Sequence, residues 1–269
     1  MASFCMREAR YIDAHCHLQF EQYDEDREEL IARMREEGVA GVVVGTDLES
    51  SRAAVALAEQ HEHLYAAVGQ HPTDSEEPFD AEAYRALVSR ARVVAIGECG
   101  LDYFRAGDVA AARAAQIPLF KRHVALAAEL DKPLIIHARP SKGTQNAYQE
   151  VLEILAEAKQ KYPDLRGDSH FFAGALAEAG AFIKLGFTIS FTAVITFARE
   201  YDEVVRSVPL ESILAETDAP YVAPASRRGQ RNDPFAVVDV VARIAELRGE
   251  DPEIVRATIL ANTRRSFGL

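Results

Sequence analysis

Six residues of the two kinds that bind divalent cations each lie at or near the end of a short apolar run. They are His15, His17, Glu98, His137, His170 and Asp218. Histidine nitrogens and carboxylate oxygens are ligands for zinc, magnesium and manganese. An apolar run that ends in such a residue is typical of a buried strand whose tip opens into a site. The pattern therefore predicts a metal-dependent hydrolase.

His15 and His17 stand two positions apart on a predicted strand, so both side chains point to one face and could bind one cation. Asp13 is predicted on the same face. It either supports a ligand from behind or is an ordinary strand carboxylate. A second His-x-His, His61 and His63, precedes a strand instead of ending one, and is predicted to be a solvated surface pair.

Glu98 directly follows a run of valine, alanine and isoleucine, where an uncompensated carboxylate would be costly to bury. A cation removes that cost, and the two carboxylate oxygens could bridge two metals roughly 3.5–4 Å apart. The alternative is an ion-paired barrel glutamate, which the accompanying ligands make less favoured. Asp102, four residues later, is predicted to stabilise its loop instead of binding metal.

Asp218 is predicted to complete a metal's ligand set next to the reacting water. A carboxylate in that position can take and return the proton of the water, so Asp218 is the candidate general base and Glu98 its catalytic partner. Glu216 shares the strand face of Asp218 and stays open as a helper.

His137 closes an apolar run, and Arg139 follows two positions later on the same side of the strand. A histidine beside an arginine suits a metal next to a phosphate or carboxylate of a substrate. His170 on its own would be read as a core residue, and its place among the ligands rests on the series. His71 ends the third predicted strand and is either a substrate contact, a further ligand or an ordinary loop histidine.

The elements that must position these residues alternate regularly along the chain. The predicted strands are 11–15, 41–45, 64–69, 92–97, 133–137, 167–172, 187–192 and 213–218. Amphipathic segments with apolar residues three and four apart separate them, at 25–37, 50–60, 81–90, 110–130, 147–161, 175–185, 197–207 and 235–247. The pattern predicts an α/β protein with one (β/α)8 barrel domain over residues 1–269 and an extra C-terminal helix over 252–266.

A doubly wound open sheet is the competing fold. It usually groups its ligands around one switch point, whereas the candidate ligands here come from the first, fourth, fifth, sixth and eighth strands. A closed barrel brings all of these strand ends to one rim, so the barrel is favoured.

Net charge limits the partners that the chain could hold. Lys and Arg number 30 against 42 Asp and Glu, giving −12, which fits poorly with broad electrostatic binding of duplex DNA. Local phosphate contact stays compatible, since three arginines, Arg228 among them, lie within residues 227–231. No apolar stretch approaches the roughly 20 residues that span a bilayer, and residues 1–10 lack the apolar core of a signal peptide. The cysteines Cys5, Cys16 and Cys99 are predicted to be reduced thiols of a cytoplasmic protein.

These residues, in this order, resemble the TatD family of metal-dependent deoxyribonucleases, within the amidohydrolase-like barrels. The resemblance runs from 13–17 (Asp-Ala-His-Cys-His) to 262–265 (Asn-Thr-Arg-Arg). Its most specific parts are 96–103 (Ile-Gly-Glu-Cys-Gly-Leu-Asp-Tyr) and 216–221 (Glu-Thr-Asp-Ala-Pro-Tyr), and residues 228–234 are similar to the family's loop after the last strand.

The resemblance implies two metal sites that share one ligand. One metal would be held by His15, His17, Glu98 and Asp218, and the second by Glu98, His137 and His170. Two segments depart from the family pattern. The family's His-Cys-Phe-Ser-Gly is His-Phe-Phe-Ala-Gly at 170–174, and its Ser-Arg-Asp is Ala-Arg-Pro at 138–140. The second change removes an acid near the substrate rim and so bears on substrate preference.

The resulting hypothesis is a phosphodiesterase that degrades single-stranded DNA or strand ends from 3′ to 5′. A water activated by two divalent ions (zinc, magnesium or manganese) would attack, Asp218 would handle its proton, and Arg139, Arg228 and His71 would hold phosphates. One rival is a hydrolase of another ester, amide or small phosphate ester, for example an aminoacyl ester on tRNA. Another is a barrel without catalytic activity. The sequence gives no indication of a protein partner or of membrane attachment.

Overall fold

The computed structural model describes residues 9–75 and 77–269 of the chain. In that part of the chain, eight strands form one parallel sheet in which each strand pairs with the next along the sequence. The strands are β1 (Tyr11–Cys16), β2 (Val39–Val44), β3 (Leu64–Val68), β4 (Val93–Asp102), β5 (Leu134–Arg139), β6 (Gly167–Ser169), β7 (Thr188–Phe191) and β8 (Ile213–Ala215). The sheet closes after β8, where Cys16 bridges Ala219 and the backbone N–H of His17 donates to the Ala219 carbonyl oxygen (2.8 Å). The predicted barrel is confirmed.

Helices separate the strands and surround the sheet. They are α1 (Arg27–Glu37), α2 (Leu48–Gln60), α3 (Ala81–Val88), α4 (Val109–Glu129), α5 (Asn146–Lys161), α6 (Leu176–Lys184), α7 (Asp202–Ser207), α8 (Ala236–Arg248) and the extra α9 (Pro252–Phe267). Gly38 and Gly249 end α1 and α8 at φ +73° and +64°, a left-handed conformation that costs glycine little. The predicted C-terminal helix is confirmed as α9.

Several boundaries differ from the sequence prediction, and three of them illustrate the local reasons. β4 continues to Asp102 because its last residues keep pairing with β5, up to Arg139. β6 ends at Ser169, shortly before Phe171 takes the left-handed φ of 44° and turns the chain away from the sheet. α7 begins only at Asp202, because a short 3-10 turn precedes it.

Small and branched side chains fill the inside of the barrel below its carboxyl end. This cluster consists of Ala14, Val42, Val44, Ala67, Val94, Ala95, Ile135, Leu214 and Phe267. Its strand members come from β1, β2, β3, β4, β5 and β8, and Phe267 is the last residue of α9. The C-terminal helix thus places an aromatic ring against the barrel interior, away from the end where a site can form.

The structure also bears on the predictions made for the cysteines and for membrane-spanning segments. Cys16 and Cys99 are free and buried, as predicted, and burial raises the pKa of both thiols. None of the helices in the described ranges has the length and apolar content to cross a bilayer. The predictions made for Cys5 and for the start of the chain concern residues 1–8, which lie outside the described part.

Two histidines away from the predicted ligands are buried. His63 is only 2% exposed and lies 3.1 Å from the carbonyl oxygen of Ile31, so the prediction of a solvated surface pair is wrong for this residue. His123 on α4 donates from Nδ1 to the Leu119 carbonyl oxygen and accepts at Nε2 from the backbone N–H of Gln70 (both 3.0 Å). Burial lowers the pKa of both histidines to about 4.

Replacing His123 with glutamine is expected to reduce the dependence of stability on acid pH. The pKa of His123 is about 4 in the fold and about 6.5 in an unfolded chain. The unfolded state therefore binds the extra proton first, and the free energy of unfolding falls as the pH drops from 6.5 towards 4. Between pH 7 and about 4.5, the metal-free His123→Gln variant should lose roughly 2–3 kcal/mol less than the metal-free parent protein in urea unfolding. Parallel curves would contradict the assignment.

Candidate metal centre

The six predicted ligand residues meet at the carboxyl end of the barrel. His15, Glu98 and His137 lie in β1, β4 and β5. His17, His170 and Asp218 follow within three residues of the ends of β1, β6 and β8. All six side chains are at most 15% exposed. The parallel barrel therefore brings together residues that are up to about 200 positions apart in the sequence.

His15, His17, Glu98 and Asp218 form the first group of donor atoms. The Nε2 atoms of His15 and His17 are 3.1 Å apart. Asp218 Oδ1 lies 3.3 Å from His17 Nε2 and 3.8 Å from His15 Nε2, and Glu98 Oε2 lies 3.9 and 3.5 Å from the same two atoms. With metal–ligand bonds of about 2.0–2.1 Å, the donors of a tetrahedral site lie roughly 3.3 Å apart. His15, His17 and Asp218 could therefore hold one cation, and Glu98 Oε2 faces the same two histidine nitrogens.

Glu98, His137 and His170 form the second group. Glu98 Oε1 lies 2.8 Å from His137 Nδ1 and 2.9 Å from His170 Nε2, and these two nitrogens are 3.4 Å apart. His71 Nε2 is 3.5 Å from the same oxygen, so His71 borders this group. Burial lowers the pKa of His71 to about 4, which leaves its ring neutral. Glu98 directs Oε2 to the first group and Oε1 to the second.

In three of these histidines, the ring nitrogen that points away from the donor groups faces an acceptor that orients the ring. The Nδ1–H of His17 donates to the Val44 carbonyl oxygen (2.7 Å). His137 Nε2 is 3.2 Å from Asp102 Oδ2, and His170 Nδ1 is 3.3 Å from Glu216 Oε1. A metal-binding histidine commonly has such a partner behind it, which fixes the tautomer and leaves the inner nitrogen free to bind. This arrangement fits a metal centre.

Glu216 lies behind both groups at once. The rings of His15 and His170 stack with centroids 4.0 Å apart, and their Nδ1 atoms face opposite oxygens of the buried Glu216 carboxylate, at 4.0 and 3.3 Å. Glu216 Oε1 also accepts the backbone N–H of Phe171 (2.6 Å). The geometry therefore places Glu216 behind the ligand histidines, as the helper that the sequence left open.

The carboxylates of the site are ionised in this environment. Burial alone would raise the pKa of Glu98, but the charge of His170 and the hydrogen bonds from His137 and His15 hold it well below its usual value. Asp218 behaves in the same way, since the hydrogen bond from His17 and the neighbouring histidine charges outweigh burial and lower its pKa. Both carboxylates are thus negative near neutral pH and suited to a cation.

Backbone contacts fix Asp218 in an uncommon conformation. Its φ is +53°, and its N–H donates to the His15 carbonyl oxygen (2.9 Å). The preceding Thr217 donates its N–H and its hydroxyl to the two oxygens of buried Asp13, at 2.8 and 2.6 Å. The register of β1 shifts just after Asp13. Asp13 therefore anchors the segment that carries Asp218, and its hydrogen bonds go to Thr217 and the His15 backbone.

A cavity of about 740 Å³ opens above the two groups. His71 and Arg139 line it, as the predicted substrate contacts should. Arg228 lies outside the lining, and its guanidinium stacks on the Phe197 ring at 3.9 Å. The prediction of Arg228 as a substrate contact therefore lacks support from the geometry. The arginines of the loop after β8 contact other residues of the protein. Composition alone does not reveal this.

Several lining residues were missed by the sequence interpretation. They are Phe20, Arg105, Phe171, Tyr201 and Tyr221. Phe20 stands three residues after His17, and its N–H donates to the His17 carbonyl oxygen (3.1 Å). Its place in the turn directly after His17 was therefore the signal that could have identified it as a lining residue. Arg105 follows Asp102, whose Oδ1 accepts the N–H groups of Phe104 and Arg105 (2.9 and 3.5 Å). Asp102 therefore stabilises its loop, as predicted, and also faces His137.

Comparison with known proteins gives a consistent result over nearly the whole chain. The family model described as TatD related DNase matches residues 12–268. The metal-dependent hydrolase YabD of Bacillus subtilis is 36% identical over 263 residues, which cover 95% of this chain and 98% of that protein. The 3′-5′ ssDNA/RNA exonuclease TatD of Cronobacter sakazakii is 36% identical over 256 residues, covering 91% and 93%.

A solved structure extends the similarity to three dimensions. The crystal structure of YjjV, a TatD homologue from Escherichia coli, matches with a TM-score of 0.87 at 33% identity. The match covers 97% of this chain and 99% of that one. The barrel and its loops are therefore shared with a protein of the same sequence family.

Proposed function

The chain belongs to the family of TatD-related DNases and is a metal-dependent hydrolase, and from that premise we propose that it removes nucleotides from the 3′ ends of single-stranded DNA. The observation that carries the proposal is the pair of donor groups on the two oxygens of Glu98 at the floor of one cavity. Paired divalent ions about 3.5–4 Å apart are typical of enzymes that cleave phosphodiester bonds.

The ligand sets follow from the donor atoms. His15, His17, Glu98 and Asp218 would hold one ion, and Glu98, His137 and His170 the other, with His71 beside it. When bound, two divalent ions lower the pKa of a water and stabilise the negative charge that develops on the phosphate. Four histidines and two carboxylates, which are borderline and hard donors, leave zinc, magnesium and manganese as the candidates.

The side chains supply proton transfer and orientation. Asp218 is the one ligand carboxylate that is not enclosed by other donors, with 14% of its side chain exposed against 5% for Glu98. It therefore can accept the proton of an attacking water at the cavity floor and return it to the leaving oxygen. Asp102 and Glu216 keep His137 and His170 in the orientation described above, so the reacting groups need little rearrangement.

Arg139 is the candidate phosphate contact. It lines the cavity on β5, two residues after His137, and its guanidinium packs on the Phe104 ring at 4.2 Å. A planar guanidinium held on an aromatic ring keeps its N–H groups available for a phosphate. With a net charge of −12, the protein suits such local contact with a strand end better than wide binding of duplex DNA.

Digestion of 5′-labelled single-stranded DNA tests the proposal. With magnesium, manganese or zinc, the label should appear in a ladder that shortens from the 3′ end, and EDTA should abolish it because the ligand groups need a cation. Circular single strands should resist. Equal cutting of circular and linear strands would contradict exonuclease action. Cleavage confined to carboxylic esters, amides or small phosphate esters would show that the substrate belongs to the rival class and is not a nucleic acid.

A further inference from the structure

Resting on the proposed function, we infer that Tyr221 is a stacking platform for the base of the 3′-terminal nucleotide, while the rest of the strand runs past Arg105 and Arg139. Tyr221 is 48% exposed although it lines the cavity. A large aromatic side chain left half open above a buried catalytic floor is free to take a planar ligand.

The cavity is aromatic on the side of the first donor group. Phe20 stacks on His17 with parallel rings, 4.5 Å between centroids, and the Tyr221 ring lies edge-on to His17 at 6.3 Å. Tyr221 also stands three residues after Asp218, and its N–H donates to the Asp218 carbonyl oxygen (2.9 Å). The backbone that carries the ring is thus fixed relative to Asp218, the proposed general base. A nucleobase is the part of a nucleic acid that such a surface accepts, because every base has a π-face.

The cavity is cationic on the side of the second group. Within the described ranges, neither Arg105 nor Arg139 forms a salt bridge or a hydrogen bond with a carboxylate, although the charge of Arg139 acts on the nearby carboxyl of Asp102. By contrast, Arg227 pairs with Asp233 and Arg231 with Asp26. Arginines that form no salt bridge within the protein, at the rim of a metal site, suit the phosphates of a bound strand.

The loop that carries Arg105 is tied to the donor groups. Asp102 binds the loop backbone through Oδ1 and faces His137 through Oδ2 (3.2 Å). A phosphate bound at Arg105 therefore lies at a fixed distance from the second donor group. The reacting phosphate would lie over Glu98, with the terminal base towards Tyr221 and the remaining phosphates towards the arginines.

The test compares two single strands that are identical except at the 3′-terminal nucleotide, which carries thymine in one and no base in the other. Wild-type protein should prefer the strand with the base. Tyr221→Ala should lower kcat/KM on that strand about 5- to 100-fold, the range for one base–aromatic stack, and leave the abasic strand nearly unchanged. Tyr221→Phe keeps the ring and should retain the preference.

Phe104→Ala is the matched variant, because Phe104 is equally exposed (50%) but supports Arg139 and lies outside the cavity lining. It should lower cleavage of both strands by the same factor. Equal loss on both strands in Tyr221→Ala, or no preference in the wild type, would overturn this inference alone. Failure of metal-loaded wild-type protein to cleave either strand would overturn the proposed function together with it.

Discussion

Replacing Asp218 with asparagine is expected to lower kcat/KM on single-stranded DNA by about 10²- to 10⁴-fold, the usual contribution of a positioned general base. Asparagine keeps the size of the side chain and one oxygen for a metal, but it cannot accept a proton near neutral pH. The hydrogen bond from the Asp218 backbone to His15 does not involve the side chain and should survive. The variant should therefore fold normally, as circular dichroism would show.

Metal analysis of the same variant separates two roles of Asp218. Unchanged metal content with lost turnover indicates proton transfer, whereas loss of metal indicates that Asp218 acts mainly as a ligand. Asp26→Asn is a suitable control, because Asp26 is an exposed carboxylate that pairs with Arg231 of the loop after β8. It should retain turnover. Activity close to wild type in Asp218→Asn would rule out Asp218 as the base.

Much of the barrel was predictable because its strands are short apolar runs buried on both faces. The runs that end in His15, Glu98 and His137 each mark a strand of the sheet and, at its carboxyl end, a side chain of the site. A parallel barrel places all such ends on one rim, so the topology alone predicted that these residues would meet. The strand pattern therefore allowed the fold, and the meeting of these side chains at one rim, to be predicted.

The cavity rim was less predictable because it depends on loop conformation. The local sequence did not distinguish the role of Arg228 from that of Arg105. In the structure, Arg228 stacks on Phe197, whereas Arg105 lines the cavity on a loop held by Asp102. Such contacts depend on backbone turns and on neighbours distant in the chain. His63 was mispredicted for a related reason. Its polar neighbours in the sequence suggested a solvated pair, whereas α1 covers its ring.

The supporting groups behind the histidines were also hard to predict. Glu216 could be placed near Asp218 by strand alternation, but its position behind the stacked rings of His15 and His170 depends on the closure of β8 against β1. Asp102 could not be assigned two roles from sequence, because β4 continues beyond its predicted end. Tertiary packing decided both cases.

Replacing Glu98 with glutamine is expected to affect both donor groups at once. Glutamine has no charge and offers one oxygen, whereas the carboxylate faces His15 and His17 with Oε2 and His137 and His170 with Oε1. Metal content should fall from about two ions per chain to clearly below one. Turnover should fall by at least about 10³-fold, because the variant loses charge stabilisation at the cavity floor.

Variants of single histidine ligands provide the comparison that shows whether Glu98 serves one donor group or both. His17→Gln should lose only the ion of the first group and His137→Gln only that of the second, so each should keep about one ion per chain. Glu150→Gln, which changes a carboxylate bound to Tyr103 and Arg113 away from the cavity, should keep both. If Glu98→Gln loses no more metal than the two histidine variants, Glu98 belongs to one group only. If it loses more than either, the carboxylate is the shared ligand that joins the two sites.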